Sequence, residues 1–206
     1  MGSVFQTYLH LGFLHICSPR ATDHLTFLLA LCAPYVLADW RRVLALVTSF
    51  TVGHSLTLAL ATLGLVTFPP AISEALIPVT IMATAVFNLA RAGRSGVPVA
   101  VGAAAGPLVW TAPNALAATF GLVHGLGFSN YLRALLGQQS RPVVELLAFN
   151  VGVELGQMVV VGVILLLGAL LLRGVGVARR DWVLAVSGAA LGVAGLLLLQ
   201  QASPSS

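Results

Sequence analysis

Lysine is absent from these 206 residues: all ten basic side chains are arginine, set against six carboxylates and five histidines. Only 8% of the chain is charged and 58% is hydrophobic, so no solvated surface can be drawn around it. A soluble globular domain is therefore excluded, and the net charge of +4 belongs to short loops rather than to a nucleic-acid-binding face. Two cysteines, Cys17 and Cys32, are too few for a disulfide framework, and Cys32 falls in an apolar run where it reads as a small hydrophobe. The opening stretch MGSVFQTYLHLGF lacks a basic region before its apolar run and a small-residue cleavage site, so no signal peptide is expected. Gln6 stands where a myristoylation signal needs serine or threonine.

What the chain does have is long apolar runs. A hydrocarbon core about 30 Å thick needs roughly 20 helical residues to cross it. The runs predict an all-α, polytopic transmembrane bundle in one membrane domain, 1–200, followed by a disordered tail, 201–206. Six spans are expected, at 22–40, 43–66, 72–90, 114–136, 143–172 and 182–199. Residues 4–17 are too short to cross and are expected to lie at the interface or re-enter, and the Gly/Pro-broken stretch 97–112 is expected as a loop or re-entrant segment. The turns after spans one, three and five carry seven arginines (Arg41, Arg42, Arg91, Arg94, Arg173, Arg179, Arg180) and the other side three. The arginine-rich side is therefore expected in the cytoplasm, with both termini outside.

Against this background a few polar side chains stand out. His124 sits in GLVHGLGF, between Gly121 and Gly125, a small-xxx-small pair that lets a neighbouring helix approach closely. In span two, Thr48, Thr51, Ser55 and Thr62 share a face that His54 borders. In span five, Asn150, Glu154 and Gln157 recur at i, i+4 and i+7, a single polar stripe opposite Gly152 and Gly156. Counted along six continuous spans, His54, His124 and Glu154 share one depth near the midplane, with Asp23, His24 and His15 at the outer mouth. Ionisable groups in lipid need compensation, and imidazole with carboxylate is the ligand set for nickel, cobalt, zinc or copper rather than for soft thiolate or all-oxygen chemistry. The competing assignment is structural: Glu154 paired with His54 or His124, and hydroxyls acting as glue between helices. No catalytic nucleophile is assigned, since Ser55 and His54 are adjacent and point about 100° apart.

The blocks DHLTFLLAL (23–31), FTVGHSLTLALATLG (50–64), FGLVHGLGF (120–128) and FNVGVELGQ (149–157), in this order, resemble the HupE/UreJ family of bacterial membrane proteins, over about residues 11–172. The resemblance implies an inner-membrane protein associated with hydrogenase and urease gene clusters and regarded as a nickel or nickel–cobalt permease. Carried over by position, the family's first histidine and aspartate–histidine motif falls on His15, Asp23 and His24, and its later polar positions on His54, His124 and Glu154. The expected function is a divalent transition-metal permease whose substrate is nickel or cobalt, with zinc or copper as further candidates, and with Thr51, Ser55, Asn150 and Gln157 as supporting polar residues. Two alternatives stand beside it: an intramembrane zinc-type hydrolase with Asp23 or Glu154 as base, and a non-transporting accessory subunit of a metalloenzyme assembly. The expected partners are the bilayer, the metal ion and metalloenzyme maturation proteins, and the glycine pairs would also suit a homo-oligomer.

Overall fold

The computed structural model describes residues 4–19, 21–93, 111–136 and 142–202, and every regular element among them is helical. Two short helices, α1 (Val4–Cys17) and α2 (Thr22–Cys32), precede a 3-10 turn at Leu37–Asp39. Then come α3 (Trp40–Thr62), α4 (Pro70–Ala92), α5 (Ala112–Leu136), α6 (Pro142–Ala169), a π-helical turn at Leu170–Val175, and α7 (Arg179–Ala202). Of the stretch 97–112 only the last two residues are among those described, and of the tail only 201 and 202, which still belong to α7.

Four segments are long and apolar enough to cross a membrane among the described residues: Leu37–Thr62, Pro70–Ala92, Val143–Val175 and Arg179–Gln201. Helix α5 has the length, at 25 residues, but its glycines, His124 and other polar groups make it less apolar. The bundle turns large aliphatic side chains outward, as at Leu147, Val159, Leu166 and Leu170 on α6 and its π-turn, an arrangement suited to lipid rather than water.

The expected first span, 22–40, is corrected: it is not one helix. Helix α2 ends at Cys32 because Pro34 has no N–H for the Ala30 carbonyl and its ring crowds that turn. The Ala30 carbonyl instead accepts from Asn88 Nδ2 at 2.8 Å, and the Pro34 carbonyl accepts from Arg179 on α7. Helix α3 ends in a comparable way, its Ala61 carbonyl taking a hydrogen bond from Arg133. After the π-turn, Gly176 closes α6 at φ +81, a left-handed conformation that suits glycine.

Backbone proximity decides the packing. A Cβ on Gly121 would lie 2.0 Å from the Phe50 carbonyl oxygen, and one on Gly125 would lie 2.2 Å from that of His54. Helices α3 and α5 therefore touch along their length, and since Phe50, His54 and Ala61 meet Gly121, Gly125 and Arg133 in rising order, they run parallel. Helix α1 lies along α6 in the same manner, Gly12 against Phe149 and Gly152 against Leu9. Two apolar clusters result. One gathers Ile16, Val47, Leu58, Phe149 and Val153, and the other Phe27, Phe50, Ile77, Ile81 and Ala190.

Candidate metal centre

The gap between α1 and α2 falls inside the bundle, so the end of one short helix and the start of the next face the middle of the long ones. His15 comes from the last turn of α1 and Asp23 and His24 from the first turn of α2. His54 comes from the middle of α3, and His124 from α5, one residue before the glycine that admits the His54 backbone. The close α3–α5 contact brings these last two side chains to the same region from neighbouring helices.

Four imidazoles converge. The His24 ring lies 4.7 Å from His15, 5.0 Å from His124 and 6.0 Å from His54, centroid to centroid, and His15 and His54 are 6.3 Å apart. Two sets of donor atoms come within 4.8 Å of one another: those of His15, His24 and His54, and those of Asp23, His24 and His124. His24 is common to both. His54 and His124 are fully buried and His24 nearly so. Phenylalanines wall the cluster on two sides, Phe27 and Phe50 each 5.1 Å from His124, and Phe128 4.0 Å from His15.

The hydrogen bonding of these rings is incomplete. His15 Nε2, His24 Nε2, both nitrogens of His54 and His124 Nδ1 are buried without a partner. A buried polar atom left unpaired costs about 1–3 kcal/mol, so five at one place make a large standing cost; one of the two His54 nitrogens is an N–H, and a bound cation would relieve at most the other four. Two like charges on rings 5.0 Å apart would repel by about 3 kcal/mol at an effective dielectric of 20, so the cluster offers lone pairs rather than several imidazolium protons. Two nitrogens each about 2.0–2.1 Å from one ion lie at most about 4.2 Å apart, a span comparable with the 4.8 Å within which the donors of either set lie.

Asp23 joins this cluster to the outside. Its Oδ1 accepts from the His24 backbone N–H at 2.8 Å and lies 3.1 Å from His24 Nδ1. A carboxylate accepts only, so His24 carries its proton on Nδ1 and leaves Nε2 bare. Asp23 is 31% exposed and also lines a cavity of about 290 Å³ together with Thr22, Glu74 and Gln201. Pro78, on the same wall, has no N–H to offer the Glu74 carbonyl four residues earlier.

The expected depths are corrected here. Asp23 and His24 do not stand at an outer mouth apart from His54 and His124 but meet them directly, and His15 reaches the same cluster. Glu154 belongs to neither donor set. Its Oε1 accepts from Thr48 at 2.7 Å, its Oε2 is buried without a partner, and it lines an open groove of about 570 Å³ with Thr51, Ser55 and Asn150. Gln157 accepts from Thr51 at 2.7 Å. Asn150 donates to the Leu146 carbonyl and has its side chain beside His54, between the cluster and the groove.

Glu74 and Thr80 were not singled out from the sequence. Glu74 had a visible signal, a carboxylate one turn into an apolar helix. Thr80 had none, since it is one of several hydroxyls on α4, and only the packing brings its oxygen to 3.0 Å from His124 Nε2.

A family model described as HupE / UreJ protein matches residues 1–202. No curated protein and no solved structure gives a match.

Proposed function

The chain belongs to the HupE/UreJ family, and on that premise we propose that it is a divalent transition-metal permease of the bacterial inner membrane, with nickel or cobalt as its substrate. His24 is the central ligand. It works with His15 and His54 on one side and with Asp23 and His124 on the other, two overlapping donor sets between which a cation can be passed without leaving nitrogen and carboxylate ligation. The cavity beside Asp23 and Glu74 is the approach from one face, and the groove beside Asn150 and Glu154 is a second station.

One observation carries this reading: five imidazole nitrogens from four helices are buried, unpartnered and gathered around His24. A structural histidine spends both ring nitrogens on hydrogen bonds, whereas these four rings leave up to four lone pairs, one to a ring, where a borderline cation takes them. Conduction also requires release, and two sets that share His24 give the ion a second place to go, as a single closed cage does not.

The test is uptake by vesicles containing the purified protein, scanned over nickel, cobalt, zinc and copper. Accumulation of nickel or cobalt that disappears in His24→Ala and His54→Ala is the expected result. Wild-type vesicles that take up none of the four ions, or variants that accumulate as wild type does, would exclude the permease. An accessory subunit would instead copurify with a metalloenzyme complex from native membranes and leave the vesicles empty.

A further inference from the structure

The ring of His124 has one hydrogen-bond partner, and that partner is already committed elsewhere. Thr80 Oγ1 lies 3.0 Å from His124 Nε2 and 2.7 Å from the Ile77 carbonyl oxygen one turn back on α4. A hydroxyl has one proton, and the shorter of its two contacts is to the Ile77 carbonyl, which can only accept, so the Thr80 proton is assigned to Ile77. The oxygen then presents lone pairs to the ring, and the facing nitrogen must carry a proton. A neutral imidazole has one N–H, so Nδ1 is left bare, and Nδ1 is the His124 atom that is buried without a partner.

We propose that Thr80 is a positioning residue that locks His124 in the Nε2–H tautomer and so aims its bare Nδ1 at the donor set formed with Asp23 and His24. Packing supports the assignment. Gly127, one turn after His124, has no Cβ, and Ile77, one turn before Thr80, fills that space: its Cδ1 lies 2.6 Å from where a Cβ would stand. Helix α4 therefore meets α5 at two points three residues apart on each helix, Ile77 on Gly127 and Thr80 on His124. Thr80 is nine-tenths buried and His124 fully so, which leaves no solvent to substitute for the hydroxyl. A β-branched threonine also has few χ1 wells, and the one that bonds the carbonyl three residues back holds the oxygen where the ring needs it. Asp23 does the same for His24 through a carboxylate, so two rings of one donor set are oriented by two different acceptors.

The consequence for substrate binding rests on the permease reading; the tautomer does not, and the experiment separates them. Protein labelled with nitrogen-15 at histidine is reconstituted without metal, and its imidazole signals are assigned by loss in His124→Gln. A protonated Nε2 and bare Nδ1 on His124 are expected in wild type and in Thr80→Ser, with a mixture of tautomers in Thr80→Val and Thr80→Ala. Nickel titrated into the same samples should bind about 10–100-fold more weakly to Thr80→Val, the usual cost of removing such a partner, and nearly as in wild type to Thr80→Ser. A wild-type ring protonated on Nδ1 overturns the proposal without any variant having to fold, and so does unchanged tautomer and affinity in Thr80→Val. The expected tautomers in a protein that binds none of the four metals support the lock and overturn the permease instead.

Discussion

Asn88 on α4 donates its side-chain Nδ2 to the Ala30 carbonyl of α2 at 2.8 Å, the carbonyl that Pro34 cannot serve. The bond ties the end of a half-length helix to a full-length one, and it is what lets the chain break at Ala33 and Pro34 inside an apolar protein. An unpaired carbonyl there would cost several kcal/mol if it faced lipid. Asn88→Leu is nearly the same size and removes the donor. It should destabilise the protein by about 1–3 kcal/mol, read as a lower thermal midpoint in detergent, with Asn88→Gln losing less.

His24 is shared by both donor sets, whereas His15 and His124 each belong to one. Substitution of His24 by alanine should therefore abolish metal binding measured calorimetrically. His15→Ala should leave a weaker site built on Asp23, His24 and His124. Equal losses for the two would contradict the overlap of the sets at His24.

Gly121 faces the Phe50 carbonyl oxygen at a virtual Cβ distance of 2.0 Å, and Gly162 faces open space. Gly121→Ala must push α3 and α5 apart, which costs about 1–3 kcal/mol or more and misplaces His54 and His124 together. Gly162→Ala should be neutral or slightly stabilising, since alanine is the better helix former by about 1 kcal/mol. Thermal melts of both, with metal titration of Gly121→Ala, check the contrast.

Glu154 sits with Thr48 in the groove and outside both donor sets. If the groove is a second station, Glu154→Gln should leave nickel affinity of the purified protein close to wild type and reduce the rate of vesicle uptake. Affinity lost as completely as in His24→Ala would place the carboxylate in the histidine cluster after all.

Much of this molecule was legible from the chain alone. The excess of apolar residues over charge dictates a membrane, because no other solvent accepts such a surface, and helices follow since backbone groups in lipid must pair within their own segment. Both polar stripes could be read from helical periodicity, Thr48, Thr51 and Ser55 on α3 and Asn150, Glu154 and Gln157 on α6. That they belong to each other, Thr48 to Glu154 and Thr51 to Gln157, is a property of packing. Periodicity fixes a face but names no partner.

The depth of the histidines was decided only in three dimensions. Counting along a continuous span that begins near residue 22 puts Asp23 and His24 at a membrane surface. Pro34 and the break before Thr22 make that span a half-helix, and the first turn of a half-helix can stand at the centre of the bundle. The sequence determined which side chains were too polar for lipid to leave alone. Glycine contacts between α3 and α5 and between α1 and α6 set where His15, His54 and His124 stand around His24, because helices whose backbones touch carry their side chains to places that no count of residues along the chain can locate.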